Sequence, residues 1–173
     1  METVAVVGVD LAKSVFQVHG IDESGAVVLQ RRVSRGQFLK LFEKLPPCLV
    51  GMEACASSHH WARQLMELGH EVKLMPPQYV KPYVKRGKND AADAEAICEA
   101  VTRPTMRFVG VKTPDQQAVM MLHRVRKILT RQRTQITNAL RAHLAEFGIT
   151  APVGRIGLER LLAVIADDND NRL

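Results

Sequence analysis

The sequence predicts an α/β fold in which a mixed sheet carries three antiparallel strands followed by parallel ones, with flanking helices. Three observations support this class. Three short apolar segments succeed one another closely near the amino terminus, two more alternate with helical segments, and everything after residue 76 is helical in pattern. A hydrophobic content of 46% in 173 residues is ample for the core of one domain with an appendage.

The first strands form a predicted meander. Residues 3–9 are an almost continuous run of apolar, largely β-branched side chains, which is typical of a buried strand. Residues 14–21 alternate, and residues 26–33 follow a turn at residues 22–25. Because the connections are short, these three strands should pair in antiparallel fashion.

Helices then alternate with strands. The predicted elements are a helix over residues 34–45, a strand over 48–52, a helix from 57 or 58 to 68, and a strand over 71–75. Ser34 can cap the first helix, Pro46 ends it, and Gly69 ends the second. Helical crossovers of this kind allow strands one, four and five to run parallel.

The remaining chain predicts a helix over residues 90–102, a short extended stretch over 106–111 and a long helix over 114–147 that Gly148 ends. Apolar residues recur along the long helix at spacings of three and four, with Gln132 interrupting, which indicates a helical hairpin or a coiled coil. We expect a homodimer or higher homo-oligomer, although the partner of the helix could also be intramolecular. They are Leu122, Val125, Leu129, Ile136 and Ala139. We therefore divide the chain into a first domain (1–111), a long basic helix (112–148) and a tail (149–173).

The charge balance favours a polyanionic partner. Lys and Arg number 24 against 18 acids, which gives a net charge of +6. The cations cluster just before residue 90 and along the long helix, where contact with nucleic acid and a merely solvated surface both remain open. The candidate phosphate contacts are Lys13, Lys81, Lys85, Arg86, Lys88, Arg124 and Arg131.

Cysteine usage and hydropathy indicate a cytosolic protein. Cys48, Cys55 and Cys98 are an odd, widely spaced set that is typical of reduced core thiols. No segment has the length and apolar character of a signal peptide or a membrane span, so we expect no membrane association. A zinc site at His59 and His60 is disfavoured, because their spacing fits no structural zinc motif.

The helix at residues 90–102 carries acids on its apolar face. At 100° per residue, Asp90 and Asp93 share a stripe with Ala94, Ile97 and Val101, whereas other acids point away. Buried acids on one helix face repel one another and lose hydration, and a divalent cation would offset that cost. The alternative is that Asp90 is only an N-cap and Asp93 a first-turn acid favoured by the helix dipole.

Two more carboxylates are predicted at the edge of the sheet. Asp10 follows the first strand and Glu53 follows the fourth, and ligands collect at the carboxyl ends of parallel strands. Together with Asp90 and Asp93 they would suit two Mg²⁺ ions, with Mn²⁺ as a substitute, about 3.5–4 Å apart for in-line attack on a phosphodiester. Each acid alone could equally be a turn former or a surface residue.

Four segments, 8–13 (GVDLAK), 52–55 (MEAC), 74–82 (LMPPQYVKP) and 88–94 (KNDAADA), resemble the DEDD transposases of insertion sequences, a family that includes the Piv-like DNA invertases. The resemblance implies a ribonuclease H-like (RuvC-like) catalytic domain that binds Mg²⁺ through Asp10, Glu53, Asp90 and Asp93 and cleaves and transfers DNA strands. It also implies a C-terminal domain with a catalytic serine and, for some members, a guiding structured RNA. Because the chain stops at Leu173, we expect the serine domain to be absent and the chain to be a fragment.

Two other classes stay open at this stage. One is a nucleic-acid-binding or dimerisation module without catalysis, whose binding would survive removal of the acids. The other is an actin-like ATPase lobe, which shares the strand order and a first-strand acid. Against the ATPase, the chain shows no glycine-rich phosphate loop and is short for two lobes.

Overall fold

The structure is a computed structural model that describes residues 3–84 and 90–172, apart from the side chains of residues 90 and 91. It divides into two compact units, Met1–Thr113 and Pro114–Leu173, which are taken separately below.

The first unit is built on a five-stranded mixed sheet. Its strands are β1 (Val6–Leu11), β2 (Val15–Ile21), β3 (Val27–Ser34), β4 (Leu49–Glu53) and β5 (Glu71–Met75). Their order across the sheet is β3-β2-β1-β4-β5, with antiparallel β1–β2 and β2–β3 pairs and parallel β1–β4 and β4–β5 pairs. The predicted fold class is confirmed, and the sheet is consistent with a ribonuclease H-like fold.

Six helices follow or separate these strands in the described chain. They are α1 (Phe38–Phe42), α2 (Ser58–Glu67), α3 (Pro77–Val80), α4 (Asp90–Val101), α5 (Pro114–Ala145) and α6 (Arg155–Ile165), with a 3₁₀ turn at Lys81–Tyr83. The helix expected over residues 34–45 is much shorter, since β3 continues to Ser34 and leaves only one helical turn and a half. The expected stretch over 106–111 contributes a single bridge, between Leu74 and Val109.

One face of the sheet is covered by α1 and α2 through an aromatic core. Phe16 packs edge to face against Phe38 and Trp61, with ring centroids 4.9 and 5.3 Å apart. Phe42 extends the group at 4.9 Å from Phe38. Each ring is at least 94% buried, so Trp61 belongs to the core and is not available to stack on a base.

The other face is covered by α4, which lies directly on the backbone of two paired glycines. Gly8 of β1 faces Gly51 of β4 across the parallel pair. A Cβ atom on residue 8 would overlap the carbonyl oxygen of Ala94 and lie 2.7 Å from Cβ of Cys98. One on residue 51 would lie 2.8 Å from Cβ of Val101. Because both glycines lack a side chain, the helix backbone approaches the sheet closely.

Burial of α4 is broader than the single apolar stripe predicted from the sequence. Ala96, Cys98 and Ala100 are at most 1% exposed, as are Ala94 and Ile97 on the predicted face. Alanine side chains are small enough to be enclosed on several sides, so the helix sinks between the sheet and the segment that contains α3.

The second unit is a helical pair. Leu144, Ile149 and Leu161 form its small core where α6 folds back on the end of α5. Gly148, with φ of 74°, ends α5 as predicted. Arg141 donates hydrogen bonds to the carbonyls of Ala151 (2.9 Å) and Gly154 (3.2 Å), so this cation holds the connecting loop.

Candidate metal centre and nucleic-acid interface

Asp10 and Glu53 lie side by side at the carboxyl edge of the sheet. The prediction that they follow their strands is wrong in detail: β1 continues through Asp10, which pairs with Gln17, and Glu53 is the last residue of β4. The register aligns Val9 with Met52 and so makes the two acids neighbours. Since residues two apart in a strand share a face, both acids lie on the α4 side with Gly8 and Gly51.

Helix α4 carries Asp93 to the same edge. It runs opposite to β1, because Cys98 Sγ donates to the carbonyl of Val6 (3.7 Å) whereas Ala94 contacts Gly8. The first turns of α4 therefore lie toward the carboxyl end of β1, where Asp10 is. Asp90 begins the helix, but its side chain lies outside the described residues.

Electrostatics show that three of the acids converge. Burial, the Asp10 carboxylate and the Asp93 carboxylate, in that order, raise the pKa of Glu53 above its usual 4.5. Burial first, and then the charges of Glu53 and Asp10, raise the pKa of the nearby Cys55 thiol. Glu53 is thus half-buried among like charges, a position that a cation would stabilise.

The side chains do not yet form a closed ligand shell. Within residues 3–84 and 90–172, side chains of 90 and 91 apart, no three His, Cys, Asp or Glu groups are close enough to surround a metal ion. Coulombic interactions act over longer distances than coordination bonds, so the two observations are compatible. The raised pKa of Glu53 shows that the charges of Asp10 and Asp93 act on it. The half-buried carboxylates would have to rotate before they could coordinate a metal ion together.

The chemistry of the converging groups fits a hard cation. Asp10, Glu53 and Asp93 offer only carboxylate oxygens, which Mg²⁺ and Mn²⁺ prefer. His59 is engaged elsewhere, since its Nδ1 accepts a hydrogen bond from the Lys112 amide at 3.1 Å. That contact occupies the Nδ1 atom of His59.

The sequence does not predict the backbone conformation of the loop between β4 and α2. Ser57 has φ of 70°, the one positive value at a non-glycine residue within the described part of the chain. Ser58 is fully buried, and its hydroxyl donates to the carbonyl of Cys55 at 2.9 Å. The left-handed Ser57 directly precedes α2, four residues after Glu53 ends β4.

The predicted phosphate contacts fall into separate groups. Lys13 is exposed in the β1–β2 turn, where its carbonyl accepts a hydrogen bond from Arg35 Nη1 at 3.3 Å. Lys81 is exposed in the 3₁₀ turn, and Arg124 and Arg131 are exposed on α5 of the second unit. The predictions for Lys85, Arg86 and Lys88 lie outside the described residues.

Sequence reasoning also missed a basic groove at the far edge of the sheet. Arg31 and Arg32 of β3 and Lys40 and Lys44 of the α1 region line it together. Arg31 and Arg32 are adjacent in the sequence and could have indicated this groove. Lys40 and Lys44 join them only through the packing of the α1 region beside β3.

The sheet is consistent with a ribonuclease H-like fold, and it carries acids at its carboxyl edge beneath a helix that supplies another. The sequence identifies the family. Residues 7–149 match the family model of the IS110-type DEDD transposases, described as "Transposase". The chain belongs to this DEDD transposase family of insertion sequences.

Individual relatives agree. The chain is 59% identical over 145 residues to a "Probable family 20 transposase" of Pseudomonas aeruginosa, a match that covers 84% of this chain and 43% of the relative. It is 48% identical over 164 residues to the "Transposase for insertion sequence element IS1328" of Yersinia enterocolitica, covering 95% and 49%. The chain spans less than half of the length of these relatives. The ATPase alternative receives no support from them.

Proposed function

We propose that this chain is the metal-dependent catalytic domain of an insertion-sequence transposase, and that it contributes to cleavage and transfer of DNA strands. One observation carries the proposal: Glu53 is half-buried beside Asp10 and Asp93, and burial and the charges of those two acids raise its pKa. A fold gains nothing from such an arrangement by itself. A site that binds a cation does, because the cation reverses the repulsion.

In this proposal the backbone positions the acids. Asp10 and Glu53 are fixed by adjacent β strands, and Asp93 by the rigid contact of α4 with Gly8 and Gly51. Asp90, at the start of the same helix, is the fourth ligand that the resemblance implies. Rigid elements hold ligands more accurately than loops, which favours their use for catalysis.

The bound metal would be Mg²⁺, with Mn²⁺ as a substitute and two ions in the complete site. Such ions activate a hydroxyl nucleophile and stabilise the leaving oxygen of a phosphodiester. The acids of this chain would bind and orient them, and Lys13 and Lys81, exposed on the same unit, would bind neighbouring phosphates.

The partners follow from the same proposal. The substrate is DNA, and a structured RNA guide is an addition that the family resemblance suggests. Exposed apolar side chains along α5 favour a homodimer or higher homo-oligomer through a coiled coil. Cys48, Cys55 and Cys98 are free thiols, which suits the reducing bacterial cytosol. In whole transposases, strand exchange would add the serine that the resemblance assigns to a C-terminal domain.

The membrane plays no part in this proposal. None of the helices in the described part of the chain combines the length and the apolar character needed to cross a bilayer.

Calorimetric titration with Mn²⁺ and Mg²⁺ tests the metal centre. We expect binding by the native chain, and a loss of at least tenfold in affinity in Asp10→Asn and Asp93→Asn. Asp115→Asn, which removes an exposed acid from the first turn of α5, is the charge-matched control and should bind as the native chain does. Equal binding by all four proteins, or none by the native chain, would refute the proposal.

A second candidate is a nucleic-acid-binding and dimerisation module without catalysis. The observation in its favour is that α5 exposes Arg126, Lys127 and Arg131 on one face and large apolar residues on another. Nucleic-acid binding that persists in Asp10→Asn, in a protein that binds no metal, would select this candidate.

A further inference from the structure

We propose that the groove along the edge of the sheet, between β3 and α1, binds the sugar-phosphate backbone of the DNA strand that enters the acidic site. The groove is defined by Arg31, Arg32, Lys40 and Lys44, with Ser34 and Gln37 as polar neighbours, and has a volume of about 260 Å³. This inference rests on the proposed function only for the position of the reacting phosphate.

The charged residues that line the groove all have the same sign. Its lining residues in the described chain include four cations and no acid. Among the residues described, no carboxylate forms an ion pair with any of the four, whereas Arg103 and Arg155 each pair with a glutamate one helical turn away. Four unneutralised cations around one shallow groove repel one another, and a polyanion would relieve that repulsion.

Strand register connects this groove to the acids. Asp10 pairs with Gln17 across β1 and β2, and Gln17 pairs with Arg32 across β2 and β3. Directly paired residues share a face of the sheet, so Asp10, Gln17 and Arg32 form one row on the α4 side. Adjacent strands are about 4.8 Å apart, which places Arg32 roughly 10 Å from Asp10. A strand of nucleic acid can span this separation with successive phosphates.

The remaining cations extend the row beyond the edge of the sheet. Arg31 alternates to the opposite face of β3, toward Lys40 of α1 and Lys44 of the turn that follows α1. Gln17, between the acids and Arg32, offers an amide donor. A backbone that leaves Asp10 and follows Gln17, Arg32, Arg31 and the lysines would meet a donor or cation at each step after Asp10.

Arg35, at the same edge of the sheet, is a cation with a structural role. Its guanidinium lies 5.2 Å from the Trp61 ring and donates to the carbonyl of Lys13, so it holds the β1–β2 turn. The groove cations have no such assignment. Protection of edge strand β3 against self-pairing is another use for charge, but it requires neither a single sign nor the convergence of α1.

Fluorescence anisotropy with short labelled DNA tests the groove, using the full chain without metal at about 50–200 mM salt. The variants are Arg31→Gln/Arg32→Gln and, in the separate segment formed by α1 and the turn after it, Lys40→Gln/Lys44→Gln. We expect each pair to weaken single-stranded DNA binding roughly tenfold near 150 mM salt and to reduce the slope of log K against log salt by about 1.4. Arg155→Gln/Arg160→Gln, exposed on α6, loses the same charge and should change affinity less than twofold.

The possible outcomes are distinct. Native affinity in both groove variants, or an equal loss in the α6 control, would overturn the proposal. Tight binding of RNA of the same sequence together with weak DNA binding would overturn the assignment to DNA. Mn²⁺ titration of the same proteins separates the two proposals, because the groove variants should retain metal binding and Asp10→Asn should lose it. A native chain that binds DNA through the groove but no Mn²⁺ would refute the metal centre alone.

Discussion

Gly8 of β1 lies against Ala94 of α4 so closely that a Cβ atom on residue 8 would overlap the Ala94 carbonyl oxygen. This contact decides where the acidic helix lies relative to the sheet. Two residues further along β1 is Asp10, and the first turns of α4 extend in the same direction. The distance between Asp10 and Asp93 therefore depends on a residue that has no side chain.

Gly8→Ala should destabilise the first unit and weaken metal binding. The added methyl group meets backbone atoms of α4, which cannot rotate aside, and overpacking of this kind costs about 1–3 kcal/mol of unfolding free energy. Urea unfolding and Mn²⁺ titration measure the two effects. Gly36→Ala is the control, since a Cβ at residue 36 meets nothing within 4 Å. Equal stability of the two variants would contradict the close contact.

Glu53→Gln should stabilise the metal-free protein near neutral pH. Burial, Asp10 and Asp93 raise the pKa of Glu53 in the folded chain, so folding favours the protonated carboxyl group. The contribution of Glu53 to stability is therefore full below its usual pKa of 4.5 and is lost as pH rises through the raised value. The amide keeps the neutral form at every pH.

Thermal unfolding between about pH 4 and pH 7 checks this prediction. The native chain should lose stability relative to Glu53→Gln as pH rises, and excess Mg²⁺ should restore the native chain but not the variant. Glu43→Gln, at an exposed position that ends α1, should follow the native curve. If Glu53→Gln is the less stable protein at pH 7 without metal, the carboxylate has a favourable partner and the interpretation fails.

Cys55 should report on occupancy of the site. Its pKa is raised by burial and by the charges of Glu53 and Asp10, so a divalent cation at those acids should lower the pKa and accelerate alkylation. Burial raises the pKa of Cys48 and Cys98 to about 11, and these thiols should react slowly with or without Mg²⁺. Mass spectrometry of chain labelled near pH 8 distinguishes the three sites. A Mg²⁺ effect at Cys48, which lies at the other end of β4, would indicate a general change in the fold instead.

Most strands and helices could be predicted because local patterns fix them. The apolar run that forms β1, the alternation of β2 and the stop at Gly69 are all visible in a few neighbouring residues. Helix α1 was overestimated, because pairing with β2 draws Val33 and Ser34 into β3 and leaves fewer residues for a helix. Sheet pairing outweighed the capping tendency of Ser34.

The candidate site was predictable in composition but not in geometry. The acids stand out because they interrupt apolar patterns, and the charges of Asp10 and Asp93 raise the pKa of Glu53. The Gly8–Gly51 contact with α4 depends on strand register, which sequence spacing does not define. The groove cations are far apart in the chain, and only the packing of α1 beside β3 brings Arg31 and Lys40 together.

Helix α5 leads to the last prediction, which concerns self-association. Leu122, Val125, Leu129 and Ile136 are between 51% and 71% exposed, although their spacing of three, four and seven residues is that of a coiled-coil seam. A second copy of the helix would cover them, and each side chain buried contributes about 1.5–3 kcal/mol. Leu129→Lys/Ile136→Lys removes two such side chains from each chain and places charges in the seam.

We expect this variant to be monomeric at concentrations where the native chain is a dimer or larger, with the dissociation constant raised by roughly a thousandfold or more. Sedimentation equilibrium measures the change. Thr130→Lys/Asn138→Lys adds the same charge on the polar face that also carries Lys127 and Arg131, and should leave the association intact. If both variants dissociate alike, general repulsion between basic helices explains the effect. If the native chain is itself monomeric, the exposed seam belongs to another partner.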